Sequence, residues 1–255
     1  ISAFLGLRVL GIYNNYYYIL VSIFGFIGII FSSCTAGIGN SLIVETEEKN
    51  YIDLKKFLMI IAWVTGFCTE MLACLYQPFM KLWVGSSLML DMKMGVCFCC
   101  YFFIHEINRL INNYKDAAGM WHEDKWRPLV VALINLALNL GTVQYLGLFG
   151  IVLSTVVSML LVGWPWLLYN LFTVVFKRNA REFVFKIIKY TLLTAMAAFI
   201  AYYLCSFVKI DGIAEIVIKG LIACIASNLL FFIVLRKSKE YPEVKQLAKR
   251  MVRRQ

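Results

Sequence analysis

Long apolar runs recur along this chain and limit what it can fold into. A helix needs about 20 apolar residues to cross the ~30 Å hydrocarbon layer of a bilayer, because each residue adds only about 1.5 Å of rise. Seven runs reach or approach that length: about 12–35, 57–83, 88–112, 128–146, 148–173, 184–207 and 213–236. The sequence therefore predicts an all-α, polytopic integral membrane protein with about seven transmembrane helices.

The composition and the placement of charge agree with a membrane protein. The chain is 61% hydrophobic with a mean hydropathy of +0.75, whereas soluble domains are roughly half apolar. Its net charge of +10 could suggest a nucleic-acid partner, but the basic residues lie between and after the apolar runs. We therefore expect the lipid bilayer as the partner and no nucleic acid.

Basic residues also predict the orientation. Lys and Arg favour the cytoplasmic side of membrane proteins, and the segment 237–255 is strongly basic, so we expect a cytoplasmic C-terminal tail. The connections containing Lys49, Lys115 and Lys177 then also lie inside, and the N-terminus lies outside. An odd number of crossings, in a chain that starts at Ile1 rather than Met, predicts a fragment preceded by at least one more helix.

The eight cysteines all fall inside apolar runs. The sequence Cys97-Phe98-Cys99-Cys100 therefore favours small apolar side chains in a helix over a zinc site, which needs paired ligands on turns. We predict no metal site and no disulfide framework. We also expect no enzyme: a membrane glycosyltransferase or polymerase would need an acidic metal site or a long catalytic loop. The chain has no DxD-like pair, and no connection between the runs exceeds about twenty residues.

Six short segments follow one another at a characteristic spacing. They are GIYNNYYYI (11–19), AGIGN (36–40), PFMKLWVG (78–85), AAGMWHEDKWRP (117–128), INLALN (134–139) and GLFGIVLSTVVS (147–158). Together they resemble the C-terminal half of bacterial lipid-linked oligosaccharide flippases, the O-antigen and capsule exporters of the polysaccharide biosynthesis family, which are related to the MATE multidrug transporters. The resemblance covers residues 1–173. Ser154 departs from it, since similar proteins often have Gly there.

The resemblance implies both an architecture and a function. Such proteins have about fourteen helices in two lobes, so 1–173 would be C-terminal-lobe helices lining a cavity and 174–236 two peripheral helices. The implied function is to flip undecaprenyl-pyrophosphate-linked oligosaccharide from the inner to the outer leaflet of the bacterial cytoplasmic membrane, with polysaccharide polymerase and glycosyltransferases as partners. No cofactor is implied, and proton or sodium coupling stays open. The alternative is a cation-coupled multidrug exporter of the MATE type.

Polar residues at helical spacing mark the expected cavity wall. They are Asn15, Tyr18, Ser22 and Gly25 in the first run; Gly66, Glu70, Cys74, Gln77 and Lys81 in the second; His105, Asn108, Arg109 and Asn112 in the third; and Asn135, Asn139 and Thr142 in the fourth. Such stripes also arise where helices hydrogen-bond to one another. For Asn135 and Asn139 the two interpretations are equally open.

Two charged residues lie too deep to reach water easily. Glu70 is about 13 residues from either end of its run, or roughly 20 Å of helix. It is either protonated or paired, with Arg109 as one candidate partner, and a buried acid is a candidate proton or sodium carrier. Arg109 lies six residues before Lys115, and with its amide neighbours it would suit a pyrophosphate entering from the cytoplasm. Glu106 could instead neutralise Arg109.

Overall fold

The computed structural model describes residues 1–246, and in that part of the chain every regular element is a helix. The remaining residues of the predicted basic tail, 247–255, lie outside the described part. The elements are α1 (Ser2–Val44), α2 (Glu47–Trp83), a short 3₁₀ helix (Ser86–Leu88), α3 (Met92–Ala117), α4 (Trp121–Asp124), α5 (Arg127–Ser158), a π-helical turn (Met159–Gly163), α6 (Trp164–Val174), α7 (Arg181–Cys205) and α8 (Ile213–Leu235).

Six helical stretches in this part of the chain are long and apolar enough to cross a membrane. The predicted all-α membrane class is therefore confirmed. The count differs from the seven predicted runs because two of those runs, 128–146 and 148–173, fall within one continuous helical stretch, Trp121–Val174.

That stretch folds back on itself at Gly147. The backbone leaves helical geometry there, with φ 56° and ψ −135°, a region that favours glycine because other residues carry a Cβ. The Asn135 amide then donates to the Ser158 hydroxyl at 3.2 Å across 23 residues of sequence, although a straight helix would separate them by about 35 Å. Residues 127–146 and 148–174 therefore form two antiparallel limbs.

The first two long helices extend beyond the predicted apolar runs. α1 continues to Val44, and α2 begins at Glu47, where the Thr46 side chain accepts from the Lys49 backbone N–H. The segment containing Lys49 was expected to be a connecting loop, and this expectation is wrong. It is helical because Thr46 caps it and because Glu47 and Glu48 in the first turn suit the positive end of the helix dipole.

Ion pairs gather several helix ends at one end of the bundle, called the basic end from here on. Lys177, after α6, reaches Glu47 at 2.5 Å, and Lys55 of α2 reaches Glu182 of α7 at 3.1 Å. At the far end of α2, Lys81 pairs with Asp211 at 2.6 Å in the connection between α7 and α8. Two of the basic connections predicted to share one side, those containing Lys49 and Lys177, thus lie at one end of the bundle.

The helix α2 runs through the middle of the bundle and packs against α3, α7, α8 and α1. Near its C-terminal end, Tyr76 stacks on Tyr16 of α1 and Phe98 of α3, with ring centroids 5.1 and 6.2 Å away. The predicted peripheral helices α7 and α8 cover the opposite face of α2. Polar side chains of α2 are consequently divided between two different sets of neighbours.

Candidate functional site

The Arg109 side chain crosses from α3 to the surface of α1. Its Nη1 donates to the Phe24 carbonyl oxygen at 2.9 Å, and the guanidinium lies 5.2 Å from the centre of the Phe31 ring. It passes directly over Gly28, where no side chain intervenes. About a third of the Arg109 side chain, 35%, remains exposed. The Arg109 guanidinium is therefore held against α1, but part of the side chain remains accessible to solvent.

A single buried carboxylate lies between two basic side chains at this position. Glu106 Oε1 is 3.6 Å from Arg109 Nη1 and 3.3 Å from His105 Nδ1. Glu106 is fully buried, and its second oxygen has no hydrogen-bond partner among the described residues. The carboxylate therefore offsets part of the positive charge here, as the alternative interpretation of the sequence had it.

The two predicted asparagines of α3 have different surroundings. The Asn112 amide donates to the Asn108 carbonyl at 2.9 Å and accepts from Arg127 Nη2 at 2.8 Å. Arg127 is buried and is held by Asp124 through hydrogen bonds of 2.6 and 2.7 Å. The Asn108 side chain is half-buried and makes no hydrogen bond to another described residue. Arg127 is thus a second cation near α3 that the helical spacing alone did not reveal.

We call His105, Glu106, Asn108, Arg109 and Asn112 the Arg109 cluster. Aromatic rings border this cluster: the centre of the His105 ring lies 4.4 Å from that of the Phe24 ring and 5.7 Å from that of the Tyr101 ring. Chemically, the cluster offers a planar cation, an imidazole and the unengaged side-chain amide of Asn108 within an apolar helix bundle. Such groups suit an oxyanion, subject to competition from Glu106.

The structure places the predicted residues Asn15 and Gln77 elsewhere. Asn15 is half-buried and makes no hydrogen bond to another described residue. Gln77 accepts from the Tyr16 hydroxyl at 3.0 Å and donates to the Leu90 carbonyl at 2.9 Å. Gln77 therefore ties α1, α2 and the connection before α3 together, near the end of the bundle opposite the basic end.

Asn135 and Asn139 connect the two limbs that meet at Gly147. The Asn135 amide donates to Thr155 Oγ1 and Ser158 Oγ, both at 3.2 Å, and Asn139 donates to Asn135 Oδ1 at 2.8 Å. A further hydrogen bond between the same two limbs joins the Thr142 and Ser154 hydroxyls at 3.0 Å. These contacts favour the interhelical interpretation for both asparagines.

Glu70 faces the helices that were expected to be peripheral. It is fully buried, and neither carboxylate oxygen has a hydrogen-bond partner among the described residues. The Ser227 hydroxyl of α8 is its polar neighbour. Arg109 does not pair with it; that side chain contacts Glu106 and α1 instead. We call Glu70, Ser227 and Thr194 the Glu70 cluster: all three are buried with unpartnered side-chain oxygens, and Thr194 lies beside Gly66, one helical turn along α2 from Glu70.

Long apolar helices with two separate internal polar clusters define a multi-pass membrane protein. No family model, no curated protein and no solved structure matches the chain. Within residues 1–246, no group of three or more His, Cys, Asp or Glu side chains lies close enough to hold a metal ion. The further assignment of function accordingly depends on the site chemistry and on the sequence resemblance.

Proposed function

We propose that this protein belongs to a transporter that flips undecaprenyl-pyrophosphate-linked oligosaccharide from the inner to the outer leaflet of the bacterial cytoplasmic membrane. The proposal combines the resemblance of residues 1–173 to such flippases with the chemistry of the Arg109 cluster. Polysaccharide polymerase and glycosyltransferases are the implied partners. The product would be the lipid-linked precursor of a surface polysaccharide such as O-antigen or capsule.

The proposed topology has seven crossings and a cytoplasmic C-terminus. The reversal at Gly147 supports the count, since residues 127–146 and 148–174 each provide roughly the ~20 residues that one crossing needs. The ion pairs that join Glu47 to Lys177 and Lys55 to Glu182 support a common side for the basic connections. By the positive-inside rule, that side is the cytoplasm.

The observation that carries the proposal is the unused hydrogen-bonding capacity of Arg109. A guanidinium has several N–H donors in a planar fork that matches phosphate oxygens. Among the described residues, Arg109 makes one hydrogen bond, to the Phe24 carbonyl, and the side chain remains 35% exposed. A pyrophosphate could therefore bind the remaining donors without displacing the arginine from α1.

Glu106 sets the conditions under which an anion binds. The carboxylate repels a phosphate, while His105 and Asn108 offer donors on the exposed side. A pyrophosphate carries more negative charge than one carboxylate, so it competes for Arg109 through charge-assisted hydrogen bonds of about 1.5–3 kcal/mol each. We infer that Glu106 weakens resting binding, which favours release of the substrate after it crosses.

The alternative is a cation-coupled exporter of the MATE type, and one observation favours it. The buried Glu106 contacts His105, whose ring packs against the Phe24 and Tyr101 rings, and an acid close to aromatic rings suits an organic cation. The charge of the bound molecule separates the two functions. An exporter would bind cations through Glu106, and loss of Arg109 would strengthen that binding.

Binding by the purified protein in nanodiscs tests the proposal. We expect undecaprenyl pyrophosphate to bind more tightly than a neutral polyprenol, and Arg109→Ala to weaken that binding by about tenfold to a hundredfold. Arg8→Ala is the matched control, since Arg8 is an exposed arginine of α1 outside the cluster. Equal binding of the charged and neutral lipids would contradict the proposal, and tighter binding of lipophilic cations by Arg109→Ala would favour the exporter.

A further inference from the structure

Two cysteines from different helices meet in a small buried cluster. Cys74 of α2 and Cys205, the last residue of α7, pack there with Ala201 and Ala223. Their thiols are free and lie against each other. The Cys205 S–H also donates to the Lys219 carbonyl of α8 at 3.5 Å. Three helices therefore converge on one pair of sulfur atoms.

The packing of α2 against α7 holds the two thiols together. The helices run side by side in the same direction, since Lys55 pairs with Glu182 at 3.1 Å toward the basic end. Farther along both helices, Thr194 Oγ1 lies 2.9 Å from the position that a Cβ at Gly66 would take. The thiol pair continues this line of contacts toward the other end of the bundle. Its position therefore follows from the packing of both helices along their length.

A polar pocket reaches the thiol pair from the end opposite the basic end. The pocket has a volume of about 200 Å³, and its wall includes Cys74, Lys81, Glu215 and Lys219. The helix α2 continues about 13 Å beyond Cys74, whereas α7 ends at Cys205. This difference in length leaves room for the pocket, which water can fill at ~30 Å³ per molecule. Cys74 is thus the thiol that an external reagent reaches first.

Cys205 is a better bonding partner for Cys74 than its other thiol neighbour. That neighbour is Cys99, which lies within α3 and has helix on both sides. A disulfide needs Cα atoms about 4.4–6.8 Å apart and a specific dihedral angle, so the backbone has to adjust when the bond forms. The end of a helix opens more easily than its interior, and Cys205 ends α7.

We propose that Cys74 and Cys205 form a reversible disulfide, made and broken from the non-cytoplasmic side of the membrane. By the proposed topology, the pocket opens on that side, and the compartment outside a bacterial cytoplasmic membrane is oxidising. The oxidant is another disulfide, either of a small molecule or of a protein. The bond would tie α7 to α2, although α7 was predicted to be peripheral.

The exchange proceeds in two steps, and its atoms balance. The Cys74 thiol loses its proton to water, and its sulfur attacks the oxidant to form a mixed disulfide with release of one thiolate. Cys205 then loses its proton to water and attacks the Cys74 sulfur, which releases the second thiolate. Two protein thiols are oxidised, the oxidant is reduced to two thiolates, and these take up two protons. A dithiol reductant reverses both steps.

Counting of free thiols tests the bond. Bacterial membranes containing the protein are treated with oxidised glutathione, and the denatured protein is alkylated and weighed by mass spectrometry. Of the eight cysteines, six should be alkylated before reduction and eight after it. Cys205→Ser should show seven in both states, whereas the matched control Cys224→Ser, on α8, should show five and then seven. Eight free thiols in the oxidised wild type, or a bond from Cys74 to Cys99, would overturn the proposal.

Sidedness is tested with oxidised glutathione, which does not cross the bilayer. The bond should form when the reagent is added to spheroplasts and should not form in inside-out vesicles. Formation in inside-out vesicles alone would overturn the route. The bond does not depend on the transported substrate, and only its sidedness rests on the proposed topology. Loss of the bond would therefore leave the flippase proposal standing, and loss of transport would leave the bond standing.

Thermal unfolding in nanodiscs tests whether the bond holds α7 against α2. The two cysteines are about 130 residues apart in the sequence, so the bond restricts a long loop of the unfolded chain. We expect dithiothreitol to lower the unfolding midpoint of the oxidised wild type by several degrees and to leave that of Cys205→Ser unchanged. Equal shifts in the two proteins would show that the bond does not tie the helices together.

Discussion

Gly28 of α1 and Arg109 of α3 approach so closely that a methyl group at residue 28 would lie 2.5 Å from Arg109 Nη2. The guanidinium therefore lies against the bare backbone of α1, where it also reaches the Phe24 carbonyl. The contact requires glycine for space rather than for backbone freedom, because residue 28 is helical. Substitution there should move Arg109 without removing it.

Gly28→Ala is expected to lower substrate transport several-fold while leaving folding nearly unchanged. The flexible end of the Arg109 side chain can shift, so the cost falls on the geometry of the anion site, where misplacement by about 1 Å can matter greatly. The measurement is lipid-linked glycan in the outer leaflet, normalised to protein in the membrane. Gly25→Ala, one turn away with open space around it, is the control. Equal transport by both variants would show that Arg109 does not need this position.

Asn135→Ala is expected to destabilise the protein by about 0.6–2 kcal/mol, the range for hydrogen bonds between membrane helices. The side chain joins the two limbs through Thr155 and Ser158, so its loss weakens their pairing. Unfolding by denaturing detergent measures the change, with Asn14→Ala as the control because Asn14 is exposed. Unchanged stability with lost transport would instead assign Asn135 to the substrate path.

Labelling of single cysteines should show on which side of the membrane each of the two limbs that meet at Gly147 ends. In a cysteine-free background, cysteines at Gln144, Ser87 and Lys209 should label from outside intact cells, while those at Glu123 and Asn179 should not. All five positions are exposed, so a negative result reflects sidedness rather than burial. Outside labelling at Glu123 or Asn179 would contradict the seven-crossing topology.

The apolar runs were sufficient to predict the helices, since hydrocarbon admits no other structure for a single chain segment of that kind. They did not predict that α1 and α2 continue to Val44 and from Glu47, because helix beyond the membrane depends on caps and charge rather than on apolar length. The Gly147 reversal lies between two predicted runs. Its limbs count as one helical stretch because the reversal involves only a very short break in the helix.

The sequence could predict which residues of one helix lie together in a candidate site, but not which residues of other helices join them. Spacing along α3 brought His105, Asn108, Arg109 and Asn112 together, and the structure keeps them adjacent. Periodicity carries no information about which helices become neighbours, so Ser227 beside Glu70 and Arg127 beside Asn112 could not be predicted. The polar residues predicted on α2 do share one face of that helix, but α7 and α8 cover most of this face, which was predicted to line a cavity.

In the proposed flippase, Arg109 binds the pyrophosphate and Glu106 opposes that binding. A charge series at Arg109 tests this through the amount of lipid-linked glycan reaching the outer leaflet. Arg109→Lys should retain partial transport, because the charge remains while the planar fork is lost. Arg109→Ala should transport at least about tenfold less, and Arg109→Glu less again.

A double-mutant cycle with Glu106→Gln distinguishes these roles, because it separates substrate binding by Arg109 from the Arg109–Glu106 ion pair at 3.6 Å. Glu106→Gln alone should transport at or above the wild-type rate, since it removes the competing carboxylate. The double variant Arg109→Ala with Glu106→Gln should remain as inactive as Arg109→Ala alone. Wild-type transport by Arg109→Ala, or its full rescue in the double variant, would show that Arg109 does not bind the substrate, and full rescue would make it a partner of Glu106 only.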